Sequence, residues 1–266
     1  MRAVAASLSA LLLSACGPQG PFSPAGNAAD QAHAPAASPT PAARPFTVEE
    51  KTGLYEFSFG WPAEAAAIPE LVTRFRAEMA QAKSEIAGSA EEEAAMRRKQ
   101  GFDFHPHMSS TSYETAGQSP RLLSLSVEVG SYTGGAHGNF GVGSLLWDRS
   151  AHQEIQTSDM FAEPANRDRL LTQRWCDALN EAREEKRGEP VGGGMFDDCP
   201  GLNDIAIIPA DKDQDGRFET FKLVASPYVA GPWVEGAYEI ELAVTPELVA
   251  AMKSEFQPSF EAQGRQ

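Results

Sequence analysis

Hydrophobic positions recur along this chain with two periods, and the switches between them mark out its elements. Tyr55, Phe57 and Phe59 alternate with polar residues over Leu54–Phe59, the two-residue period of a half-buried strand. Leu71, Val72, Phe75, Met79, Ala82 and Ile86 then fall three to four apart, predicting an amphipathic helix that breaks at Gly88, ahead of the charged stretch Glu91–Lys99. Phe102–Tyr113 is aromatic and polar with Pro106 inside it; proline cannot donate to a ladder, so an edge strand or two short strands are expected there. Leu123, Leu125, Val127 and Val129 alternate as another strand, and the glycine-rich segment 134–143 leads into one through Leu145 and Trp147. Ser158–Phe161 reads as a single helical turn. Leu170, Leu171, Trp175, Ala178, Leu179 and Ala182 define a second amphipathic helix that ends at Gly188. Ile205 and Ile207 belong to a strand paired with Phe218–Ala225 across an acidic turn, and Tyr238, Ile240, Leu242 and Val244 form the last strand. Thr245 before Pro246 caps a closing helix bearing Leu248, Val249, Met252 and Phe256. Mixed order, with hairpins and helices in place of strict βαβ alternation, predicts an α+β fold. Its expected form is antiparallel sheet with amphipathic helices packed on one side, built as two fused small modules.

The first sixteen residues follow neither period. Arg2 precedes an apolar run from Ala3 to Leu13, and Leu13-Ser14-Ala15-Cys16 closes it. That run is too short to span a bilayer of ~30 Å, so it reads as a signal segment. A cysteine at the cleavage point is the pattern of a bacterial lipobox, which makes Cys16 the lipidation site. With Gly17 rather than Asp after it, sorting to the periplasmic face of an outer membrane is expected where the host has one. Residues 17–45 are rich in proline, alanine, glycine and serine, without the apolar side chains to offset ordering entropy, and read as a tether. The expected organisation is therefore a signal (1–16), a tether (17–45), an N-terminal module (46–132) and a C-terminal domain (133–266).

Charge narrows the partner class. Without Arg2, Arg44 and Asp30, the remaining chain holds 20 basic and 36 acidic side chains, a balance of −16. Nucleic acid, whose phosphates need a basic face, is not an expected partner. A cationic partner is favoured through steering. Beyond the anchor only Cys176 and Cys199 remain, and an even pair in an oxidising compartment predicts a disulfide.

The most distinctive stretch is Ser131-Tyr132-Thr133-Gly134-Gly135-Ala136-His137-Gly138-Asn139. Adjacent glycines permit positive φ, as a tight turn or a ligand-cradling loop requires. This stretch, the strand ending at Asp148 and the segment Ile155–Phe161 resemble the extracytoplasmic domain of the RsiV anti-sigma factors. Pro227-Tyr228, Gly231, Glu235-Gly236 and Thr245-Pro246-Glu247-Leu248 are similar to that domain's C-terminal signature. Phe46–Val129 resembles the module preceding it in RsiV and in the peptidoglycan deacetylase PdaC. The resemblance implies a lysozyme-binding ectodomain and makes Tyr132, Thr133, Gly134, Gly135, Ala136, His137 and Asn139 candidate binding residues. It implies no deacetylase activity, because that belongs to a separate domain whose metal-binding motifs are missing here.

Two further groups bear on metals. Asp211, Asp213, Asp215 and Gly216 match the first half of an EF-hand loop, with Glu219 at position nine. Position twelve is Lys222, where the bidentate glutamate should stand, so weak calcium binding and a plain acidic hairpin turn both remain open. His105 and His107, two apart, would face one side of a strand and could share an ion, but they lack a third ligand. No Gly-x-Ser-x-Gly, Ser-x-x-Lys, His-Glu-x-x-His or phosphate loop occurs, and the chain is not expected to be an enzyme. The expected function is a non-catalytic envelope binding module for a cationic protein such as a lysozyme-like enzyme, or for cell-wall glycan. A structural envelope role and a peptidoglycan-acting hydrolase are the alternatives.

Overall fold

The computed structural model describes residues 43–263; the signal segment, Cys16 and the tether up to residue 42 lie outside the described residues. The described chain builds two sheets. Strands β1 (Phe46–Lys51), β2 (Tyr55–Trp61), β3 (His107–Gln118), β4 (Leu122–Tyr132), β5 (Asn139–Asp148) and β6 (Gln153–Ile155) form a six-stranded sheet in chain order. Every neighbouring pair is antiparallel except β2 and β3, which run parallel from Tyr55↔His107 to Gly60↔Ser112. Parallel neighbours need a crossover, supplied by a short helix α1 (Ala63–Ala66) and the 32-residue helix α2 (Pro69–Gln100). The fold is thus α+β as expected, with one βαβ unit inside an otherwise antiparallel sheet.

Two expectations fail in this unit. Helix α2 does not break at Gly88; it continues to Gln100 and is capped by Gly101 at φ 75°. A glycine inside a helix costs about 1 kcal/mol, less than the packing it would forfeit, because Ile86, Ala90 and Ala94 stay buried along one face. Small alanines carry that packing beneath the charged stretch, where no large apolar residue betrays it. Nor is β3 an edge strand. Pro106 lies just before it, leaving the ladder intact from His107 onward, and β3 sits between β2 and β4.

Between α2 and the sheet lies one core, made of Phe57, Phe59, Trp61, Leu71, Phe75, Tyr113, Leu125 and Trp147. The second sheet, β7 (Ala206–Ala210), β8 (Thr220–Ala225) and β9 (Tyr238–Ala243), is antiparallel throughout. Helix α3 (Ala165–Arg187) and the short helix α4 (Pro246–Ala251) help enclose its core around Leu171, Trp175, Leu179, Phe218, Phe221 and Leu248. Thr245 caps α4 as the sequence predicts, accepting from Leu248 N at 3.3 Å. A smaller cluster of Ala206, Ile208 and Val224 packs on Ala116 and Val142, fastening the second sheet to the first. Strand β5 feeds both large cores, Leu145 and Trp147 into one and Leu146 into the other. The module boundary expected after residue 132 consequently falls inside the β4–β5 hairpin, whose strands pair from Leu122↔Asp148 to Ser131↔Asn139.

Candidate functional site

At its far end that hairpin turns through Thr133–Gly138. Gly134 and Gly135 take φ values of 94° and 102°, the left-handed region an L side chain avoids. Gly138 is needed for closeness: a Cβ there would stand 2.9 Å from the Ser131 carbonyl oxygen. Gly134 lies against Glu93 and Arg97 in the part of α2 that runs past Gly88, so the unbroken helix props the loop. Tyr132 donates its hydroxyl to the Gly135 carbonyl at 3.3 Å. Thr133, Gly135, Ala136, His137 and Asn139 are exposed.

His137 has a partner that its own neighbourhood does not reveal. Its ring stacks on Trp233, centroids 4.0 Å apart and planes 21° apart. Trp233 opens the 3-10 turn Trp233–Glu235, so two loops about a hundred residues apart in sequence meet in one face. The indole N–H of Trp233 is buried without a hydrogen-bond partner. Beside it Val234 is 83% exposed, and Met195, which borders the adjoining cleft with Pro232, is 91% exposed.

The last turn of α3 fixes this face. Arg187 donates to Glu235 at 3.0 and 3.2 Å and to Asp197 at 2.6 Å. Lys186 donates to the Glu235 and Ala237 carbonyls at 2.9 and 2.8 Å, with its ammonium 4.0 Å above the Tyr238 ring. Buried Arg183 reaches the carbonyls of Ala230, Asp197 and Asp198 at 3.0, 3.1 and 3.0 Å. Gly231 leaves no room for a side chain, since a Cβ would press on the Glu235 carboxylate and lie 2.9 Å from the Tyr238 ring. Burial alone would push the Glu235 carboxyl up, but hydrogen bonds from Arg187 and Tyr238 outweigh it and hold the group below its ordinary range. Asp197 is lowered too, first by the Gly194 N–H and then by Arg187. Tyr238 is pushed up to about 12 by burial and by its bond to Glu235.

The acidic candidates lie elsewhere, in the β7–β8 hairpin. Asp211, Asp213 and Asp215 each place a carboxylate oxygen within 4.8 Å of the others, and are the one such group among the described residues. Glu219 joins the hairpin through its Oε1, which accepts from Lys212 N at 2.9 Å. His105 and His107 do not converge: Pro106 keeps His105 out of the strand and exposed. His107 is buried, with its Nδ1 3.2 Å from Ser89 Oγ and its Nε2 3.7 Å from Glu93 Oε2. Cys176 and Cys199 are disulfide-bonded, tying α3 to the loop before β7.

Residues 48–140 match the family model described as Deacetylase PdaC. They form a PdaC-like module. It contains the whole Thr133–Asn139 loop and stops at Phe140, so Trp233, the α3 clamp and the acidic hairpin all come from outside it. A DUF3298 family protein from Bacteroides fragilis is 14% identical, overlapping 82% of this chain and 97% of its own with a TM-score of 0.50, a likeness that shows the fold. A DUF3298 family protein from Pseudomonas aeruginosa, also 14% identical, overlaps 84% of this chain and 98% of its own with a TM-score of 0.48. Comparison with curated proteins yields no match.

Proposed function

We propose that this chain is an exported, lipid-anchored and non-catalytic binding module, and that its recognition face is the meeting of the Thr133–Asn139 loop with the Trp233–Glu235 turn. The single observation that carries the reading is the His137–Trp233 stack. It joins two loops remote in sequence into one face braced by α3, and that face displays Val234 and Met195 to solvent. Exposed apolar anchors on a preformed surface are what a protein interface uses at its centre, with charge at the rim. A partner meeting a folded region of −16 would be cationic, steered in by the surrounding field, and a basic lysozyme-like enzyme has that chemistry.

The test is a titration of the purified full-length protein with basic lysozyme at ~0.15 M salt, where exposed charges are screened beyond ~8 Å. A saturable one-to-one isotherm is expected, weakened at least tenfold by Val234→Asp or Met195→Asp with the melting curve unchanged. Binding that vanishes with salt, or that ignores both substitutions, would place the contact elsewhere or reduce it to general acidity. Release of sugars or acetate from peptidoglycan by the purified protein would favour a hydrolase instead.

A further inference from the structure

We propose that the cleft between Lys212 and Glu241 binds a primary alkylammonium group, with the unpartnered Oε2 of Glu219 as its acceptor. Ala243 lines this cleft at one end of β9. The Trp233–Glu235 turn lies at the other end, ahead of Tyr238, so the site is separate from the recognition face and does not depend on it.

Three stretches of chain close around Glu219. It directly precedes β8, and its main-chain carbonyl accepts from Val244 N at 2.8 Å, just past the end of β9. The Val244 carbonyl accepts in turn from Gln263 N at 2.9 Å, which lays the C-terminal segment alongside. On the third side, in the β7–β8 turn, Lys212 N donates to the side-chain Oε1 at 2.9 Å. These contacts leave Glu219 8% exposed. Its other oxygen, Oε2, is buried without a hydrogen-bond partner and faces the cleft between Lys212 and Glu241. A carboxylate oxygen that has lost its water and gained no donor is costly, so a cationic donor arriving there recovers what burial took away.

The cleft has a volume of about 440 Å³, enough for an aliphatic amine. Besides Glu219 its charged and amide side chains are Lys212, Asp213, Glu241 and Gln263, all exposed and free to shift aside as a ligand enters. Three carboxylates against one ammonium leave the cleft anionic, and Lys212 is already paired with Glu241 at 2.6 Å. The acceptor also selects the shape of the donor. A guanidinium grips both oxygens of a carboxylate in a planar fork, but here Oε1 is engaged by the backbone. One free oxygen suits the compact charge of an ammonium. A bare divalent ion lacks ligands in this place, because neither Glu219 nor Glu241 belongs to a group of three converging metal-ligating side chains among the described residues.

A free diamine and the lysine side chain of a protein carry the same group, and two probes separate them. Amide shifts of the full-length protein are followed by NMR in ~0.15 M sodium chloride while 1,5-diaminopentane or Nα-acetyl-lysine amide is added. Saturable shifts at Lys212, Glu219 and Ala243 are expected, half-complete at ~1 mM. Tighter binding of the diamine assigns the site to free amines; equal or tighter binding of the lysine amide assigns it to a protein lysine. Nα-acetyl-arginine amide should bind at least threefold more weakly than its lysine counterpart. Glu219→Gln keeps an oxygen for Lys212 N but turns a donor toward the ligand, and should weaken binding at least tenfold. Lys212→Met, at an exposed position, removes a competing ammonium and should strengthen it. No saturable shift at these residues up to ~30 mM, arginine binding as tight as lysine, or undiminished binding in Glu219→Gln would overturn the site. Binding confined to Lys212→Met would overturn it as well, by showing that Lys212 itself serves Oε2.

Discussion

Arg187 shows how much one side chain can organise. Its guanidinium joins Glu235 and Asp197, and the Glu235 bond holds its own pKa above the ordinary arginine range. Both carboxyl groups are depressed in the folded protein, so each contributes stability that is fully present above its unfolded pKa and lost as pH falls through the folded value. The expected window lies below pH ~4.5, where unfolded Asp and Glu take up protons. Tyr238 works in the opposite sense: with its hydroxyl at about 12, its contribution is complete below pH ~10 and fades as pH rises toward the folded value. Thermal melts of Arg187→Met should therefore lie below wild type at pH 6 and converge on it as pH drops toward 3. Parallel curves would show that the cluster does not govern acid stability. None of this was legible in the sequence. Charges at 187, 197 and 235 have no periodic relation, and only the fold brings them together.

Among the elements, what could be read depended on whether side-chain size carried the pattern. Strands β4 and β9 and helix α3 announce themselves through Leu, Val, Ile and Trp at regular spacing. The second half of α2 does not, because its buried residues are alanines among charges and Gly88 punctuates the run. The same glycine yields a prediction. Gly88 is exposed within the helix and a Cβ there would meet nothing within 4 Å. Gly88→Ala should stabilise the protein by ~0.5–1 kcal/mol, raising the thermal midpoint by a few degrees. A lowered midpoint would mean that the helix needs its glycine. The acidic hairpin was half legible: the spacing of Asp211, Asp213 and Asp215 is in the sequence, but the convergence of their carboxylates is seen only in the fold. The His137–Trp233 stack had no local signal, since one ring belongs to the β4–β5 loop and the other to the turn before β9.

For the whole molecule, the Cys176–Cys199 bridge joins two positions 23 apart in sequence at the edge of the second core. Loop entropy assigns it roughly 3 kcal/mol, so reduction should lower the melting temperature of the full chain by several degrees. An unchanged midpoint after verified reduction would show that α3 and its following loop hold without it. The parallel pairing of β2 with β3 has a consequence in time. The β1–β2 hairpin can close as soon as residue 61 is available, but its inward partner strand begins only at His107. In a chain delivered N-terminus first, Phe57, Phe59 and Trp61 must wait for the whole of α2 and then for β3 before they are covered. Such non-local closure is slow, and it leaves an aromatic surface open to capture in the interval. The birth of this fold is thus gated by one late strand, and a holding chaperone would find its hold in those three rings.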